Sequence, residues 1–199
     1  MPIKLNSTGG GSVSIDVPST ASSYTLTAPA RSGTIITSAD ANTVTQAMVQ
    51  TGFAGNGPAF SAYQTVSQTG LTSGVVAKIT FTAEDFDTAN CYDTTTSRFT
   101  PNVAGYYQIN AAVSLQTAAS TGSHIIYVYK NGTTFSRGNR QLSTVSMVAG
   151  LTVSQLIYMN GTTDYLEIHS FSNAGTFSTE PGSASERITW FNGYLARSA

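Results

Sequence analysis

The chain is short of charge. Asp, Glu, Lys and Arg make up 10% of its 199 residues, with a formal net charge of −1, where an ordinary soluble domain carries roughly 25%. A near-neutral chain has no electrostatic grip on nucleic acid or on an anionic membrane. Ser, Thr, Asn, Gln and Gly take the place of the missing ions. A polar, uncharged surface repels its own copies weakly and suits close packing of identical subunits; a Thr-rich β protein would show the same composition. Cysteine is nearly absent too. Cys91 stands alone, so no intrachain disulfide forms and oxidising export finds no support. No stretch approaches the ~20 apolar residues of a membrane span. Met1-Pro2-Ile3-Lys4 leads into polar residues, so neither a secretory signal nor membrane insertion is expected. No fixed-period repeat is visible.

What is present divides into two parts. Residues 1–57 hold short alternating pieces broken by Gly, Pro and Ser. Val13, Ile15 and Val17 alternate with polar residues, and so do Tyr24 and Leu26; Ile35 and Ile36 follow Gly33. These read as strands too short to carry a core alone. "SADANTVTQAMVQ" reads as a short helix capped at Ser38 or Asp40, with Val44, Ala47 and Met48 on one face. "GFAGNGPAF" is a Gly/Pro break and marks the boundary. Residues 58–199 show strands at short intervals with turns between: 59–63, 75–82, 98–100, 106–116, 123–130, 153–159, 164–172 and 188–195. That spacing predicts an all-β sandwich or barrel. Asn131-Gly132 and Asn160-Gly161 are hairpin-type turns. In "RFTPNVAGYYQINAAVSLQ", Pro101 and Gly105 turn the chain. Tyr107, Ile109, Ala111, Val113 and Leu115 then share one side of a strand of period two. "HIIYVYK" has apolar residues on both sides, so both faces need cover.

Several stretches, in this order, resemble the jelly-roll domain shared by the complement 1q globular head and tumour necrosis factor ligands. They are "AFSAY" (59–63), "KITFTAEDFDTANCYD" (78–93), "RFTPNVAGYYQINAAVSL" (98–115), "VYKNG" (128–132), "LIYMNGTTDYLEI" (156–168) and "FNGYLA" (191–196). The resemblance implies a ten-strand-type jelly-roll sandwich assembled as a homotrimer, with aromatic residues near the threefold axis. No Gly-X-Y stalk precedes it. "MPIKLNSTGGGSVSIDVPS" and "ARSGTIIT" resemble the starts of tail-fibre and other appendage proteins of tailed phages. This second resemblance implies a segment that attaches the chain to other virion proteins. The combined expectation is a virion structural protein, on head or tail, whose loops touch a bacterial surface glycan or protein. The alternative is an extracellular complement-like recognition protein that binds glycans or proteins.

Candidate chemistry is sparse. His124 and His169 lack a nucleophile elbow or a metal-ligand spacing and read as surface or interface residues. His169 is expected to face outward beside Glu167. Cys91 has no adjacent base and reads as a small hydrophobe. A glycosidase needs two carboxylates at a set separation. Asp85/Asp87 and Asp164/Glu167 offer pairs, but a strand through Asp164 and Glu167 separates those two onto opposite faces. No catalytic residue is therefore assigned. The acidic cluster Asp85, Asp87 and Asp93 is a candidate Ca²⁺ site, against the favoured reading of a solvated loop. "RGNR" places Arg137 and Arg140 in a candidate ligand loop for a carboxylated or phosphorylated sugar, or at a solvated hairpin tip. Tyr107, Tyr158 and Tyr194 are the candidate trimer interface; the protomer's own core or open surface accommodates each equally. The Asn-x-Thr triplets at Asn6, Asn131 and Asn160 read as chance.

Overall fold

A computed structural model describes residues 3–6, 8–10, 12–15, 57–117, 121–144, 148–183 and 185–199. The helix expected at 38–50 and the short strands around Tyr24 and Ile35 lie outside them. Every regular element among the described residues is a strand. In chain order they are β1 (Ile3–Asn6), β2 (Ser12–Ile15), β3 (Ala59–Tyr63), β4 (Val76–Lys78), β5 (Ala83–Asp87), β6 (Tyr92–Asp93), β7 (Arg98–Phe99) and β8 (Gly105–Thr117). There follow β9 (Gly122–Lys130), β10 (Thr133–Ser143), β11 (Val148–Met159), β12 (Leu166–Ser172), β13 (Phe177–Thr179), β14 (Gly182–Ser183), β15 (Glu186–Arg187) and β16 (Trp190–Ser198).

The N-terminal unit contributes the β1–β2 hairpin, paired antiparallel from Ile3↔Ile15 to Asn6↔Ser12. The second unit is a sandwich of two antiparallel sheets. One runs β11-β8-β16-β3-β5, with β13 also on β8; the other runs β10-β9-β12-β7-β6, with β4 also on β12. Apart from the β9–β10 hairpin and the β6–β7 pair, neighbours in each sheet are distant in sequence, so most of the pairing rests on long-range contacts.

The core lies between them. Phe60, Phe99, Tyr107, Ile109, Leu115, Ile126, Val128, Leu151, Leu166, Ile168 and Phe191 are fully enclosed. At one end Phe60 stacks on Phe99 at 4.3 Å and on Tyr92 at 5.0 Å, and meets Phe191 edge-on at 4.8 Å. Quadrupoles favour such offset and edge contacts, each contributing about 1 kcal/mol beyond burial. The Pro101–Gly105 corner is closed by Tyr107, whose hydroxyl donates to the Val103 carbonyl at 2.8 Å. At Gly105 a Cβ would lie 2.5 Å from the Arg197 carbonyl oxygen, so only glycine lets β8 approach β16 there.

Two expected strands change. Of 75–82 only Val76–Lys78 is strand, although Ile79 and Phe81 are buried and the Ile79 amide donates to Ile168. The strand expected from Asp164 begins at Leu166, because Asn160 and Asp164 are consumed in a tight loop. Asn160 Oδ1 accepts the amides of Thr162, Thr163 and Asp164. Strands β1, β5, β6, β10, β13, β14 and β15 were not anticipated. Of these, β5, "AEDFD", and β10, "TTFSRGNRQLS", lie at sheet edges and lack the alternation that marks a half-buried strand. No helix among the described residues is long and apolar enough to cross a membrane.

Candidate interaction surface

In the β11-β8-β16-β3-β5 sheet, the pleat sends alternate residues away from the core. The register sets them in rows across the outer face. Tyr158 stands opposite Tyr106. Leu156, Gln108, Tyr194 and Ala59 form the next row, and Ser154, Asn110, Asn192 and Ser61 the one after. Thr152, Ala112, Trp190 and Tyr63 follow. Large apolar groups are left wet here: Leu156 is 54% exposed, Tyr194 50%, Phe86 50% and Tyr158 44%. Tyr106 and Tyr158 meet edge-on at 5.5 Å. A shallow hollow of about 260 Å³ opens between Phe86, Ser61, Asn192 and Tyr194.

The middle of this face is polar, and its side chains bond one another. Gln108 Nε2 donates to Asn110 Oδ1 at 3.2 Å and to Ser154 Oγ at 3.0 Å. Ser154 Oγ donates to Asn110 Oδ1 at 2.8 Å, and Asn110 Nδ2 to Asn192 Oδ1 at 3.2 Å. Bonds among these side chains lower the cost of covering them, with the Asn192 amide nitrogen left to be met by whatever covers the face. Charge is confined to the edges. At one edge Arg187 lies 3.6 Å over the Tyr63 ring and pairs with Asp85 at 3.1 Å. At another, Lys130 donates to the Tyr158 carbonyl at 2.7 Å. An uncharged face of aromatic groups and amides with ions at the rim is the anatomy of a protein–protein contact.

Of the three candidate interface tyrosines, Tyr158 and Tyr194 lie on this face. Tyr107 does not: it is wholly enclosed, edge-on to Phe99 at 5.4 Å. It shares the side of β8 that carries Ile109 and Leu115, and that side is the core. The outward partner is its neighbour Tyr106. Tyr106, Leu156, Trp190 and Phe86 were missed, although the alternation that put Ile109 inward implies Tyr106 outward.

The acidic cluster does not converge. Asp85 is taken by Arg187. Asp87 accepts the amides of Ala89 at 3.1 Å and Tyr92 at 2.8 Å. Asp93 accepts the Thr95 amide at 2.8 Å and the Thr96 hydroxyl at 2.7 Å, bonds that hold its carboxyl below the usual range. Each carboxylate folds its own turn, and no cluster able to hold a metal exists among the described residues. Cys91 is buried, which pushes its thiol up, as expected of an inert hydrophobe.

The other outer face, on the β10-β9-β12 sheet, is ionic. Glu167 is buried and receives Lys78 Nζ at 2.5 Å and Arg98 Nε at 2.8 Å, with His169 Nε2 at 3.3 Å. Burial alone would raise its carboxyl, but these three bonds outweigh that and hold it at about 2. His169 does not face outward freely: it stacks on Tyr129 at 3.8 Å, and burial holds its pKa low against the pull of Glu167. His124 is no surface residue either. It is enclosed, with Nε2 3.0 Å from Ser143 Oγ, and burial lowers its pKa. Asp164 is not opposite Glu167 on a strand; it sits in the 160–165 loop, bound to Lys130 at 2.8 Å and Asn131 at 2.8 Å. Arg137 and Arg140 occupy no loop: both lie within β10, exposed.

No family model matches the sequence, and no curated protein matches it. Solved structures do match. The globular domain of zebrafish complement 1qA is 15% identical, with 71% of this chain and 99% of that one covered and a TM-score of 0.52. Eiger TNF from S. frugiperda is 11% identical, with 75% and 96% covered and a TM-score of 0.51. Identities this low establish architecture alone, and the architecture is the jelly-roll sandwich of complement 1q and tumour necrosis factor domains.

Proposed function

We propose that the chain is a homotrimeric structural protein of a tailed-phage virion. Its N-terminal segment attaches to other virion proteins, and its jelly roll contacts the host surface. The observation that carries the assembly is the neutral outer face of Tyr106, Tyr158, Leu156 and Tyr194 around side chains that bond one another. Closed cyclic symmetry covers such a face without leaving a copy unsatisfied. The likeness to complement 1q and tumour necrosis factor domains supports a trimer. The virion role is supported by the resemblance of the N-terminal segment to appendage proteins. It is also supported by the β1–β2 hairpin: four-residue strands are too short to persist without a partner. Multiplying weak host contacts by three supplies avidity.

Sedimentation equilibrium at micromolar concentration tests the assembly, with three times the protomer mass as the expected result. A stable single protomer overturns it. Electron microscopy of whole particles tests the role: the chain is expected in threefold copies at a head or tail appendage. Its absence from purified particles removes the virion reading.

A further inference from the structure

Arg137 and Arg140 are three residues apart, so in a regular strand they would point to opposite faces. Here the register slips between them. Arg137 pairs with Tyr127 and Arg140 with Ile125, so three steps on β10 oppose two on β9. The bulge turns both guanidiniums to the outer face, about 7 Å apart along the strand. The extra residues are anchored toward β11. Asn139 Oδ1 accepts the Thr152 amide at 2.8 Å. A Cβ at Gly138 would lie 2.6 Å from both the Thr152 carbonyl oxygen and Ile126 Cγ2. The side-by-side placement of the arginines is therefore built into the edge of the sandwich.

Neither guanidinium has a carboxylate partner among the described residues. Arg140 is held by its Nε, which donates to Ser123 Oγ at 2.7 Å. Its two terminal nitrogens have no partner among the described residues and can fork onto a planar anion. Across the sheet the Arg137 row continues through Tyr127, His169 and Lys78. Glu167, the carboxylate beside that row, is already bound by Lys78 and Arg98. In a chain of net charge −1, two adjacent unneutralised arginines beside a half-buried tyrosine form a local exception. Guanidinium forks match carboxylates, and a tyrosine ring offers an apolar platform to a sugar ring.

We propose that the outer face of β10 and β9, at Arg137, Arg140 and Tyr127, binds a carboxylated saccharide, such as a uronic-acid unit of an acidic polysaccharide. This deepens the host-contact part of the reading above and takes its biological setting from it. The geometry is that of one protomer and does not depend on subunit assembly.

Calorimetry at low salt with tetragalacturonate, and with neutral maltotetraose as control, tests the site on the full chain. Binding of the first and not the second is expected. Arg137→Ala/Arg140→Ala should weaken it at least tenfold, and Arg137→Lys/Arg140→Lys severalfold, because an ammonium cannot fork. Tyr127→Leu should also weaken it severalfold with the charge untouched. Both arginines are exposed, so melting temperature and sedimentation of these two variants should not change. Failure to bind tetragalacturonate, equal binding of maltotetraose, an unaffected double alanine variant, or displacement by equimolar inorganic phosphate would each overturn the proposal. Sedimentation of the same samples reads assembly separately, so failure of one reading is distinguishable from failure of the other.

Discussion

The two outer faces of the sandwich are made of the same fold and opposite chemistry. On the β11-β8-β16-β3 sheet, aromatic and aliphatic groups surround amides that bond one another, and ions stand only at the rim. On the β10-β9-β12 sheet, Glu167 is enclosed by two cations and a histidine, while Arg137 and Arg140 have no carboxylate partner among the described residues. A neutral face whose amides bond one another loses less on being covered. An ionic face keeps its value only where water or a charged ligand completes it.

The largest effect should come from placing charge on the neutral face. Leu156→Asp would bring three carboxylates into the proposed contact, a penalty of several kcal/mol. Trimers should give way to protomers at micromolar concentration in sedimentation, with the protomer's fold intact by circular dichroism. A variant that still sediments at three times the protomer mass would move the subunit contact to another face.

The next effect belongs to the ionic face. Glu167→Gln should lower stability by about 3 kcal/mol in urea at pH 7, because Lys78 and Arg98 lose their anion. The sign of the pH effect follows from a folded value of about 2 against an ordinary 4.5. The contribution is complete above pH 4.5 and is lost as pH falls toward 2. Wild type should therefore weaken across that window and the variant much less; equal acid sensitivity would mean the network is not the source. Gly138→Ala should cost about 2 kcal/mol by crowding the Thr152 carbonyl and Ile126, and it should weaken uronate binding by disturbing the bulge. The smallest effect is expected from Tyr107→Phe, about 1 kcal/mol for the lost bond to Val103. Assembly should not change, since Tyr107 belongs to the core; altered sedimentation would return it to the interface.

Much of the sandwich was legible. Strict alternation from Tyr107 to Leu115 marked the core side of β8, and the Asn-Gly turns marked strand ends. Edge strands were harder. Neither face of β10 is buried along its length, so "TTFSRGNRQLS" carries no hydrophobic period to read. The site residues were less legible still. Tyr107 stood out by type, but its parity with Ile109 already placed it inside. Asp85, Asp87 and Asp93 are close in sequence, yet their bonds go to Arg187 and to two separate backbone turns.

By itself the sequence determined a β sandwich with little charge, because side-chain period and turn chemistry are local properties. Only the tertiary structure decided which tyrosines are wet, which carboxylates are spoken for, and that Arg137 and Arg140 stand together. The first two depend on packing between segments distant in the chain, and the third on one bulge in the β9–β10 hairpin, which is enough to move a side chain from one face to the other.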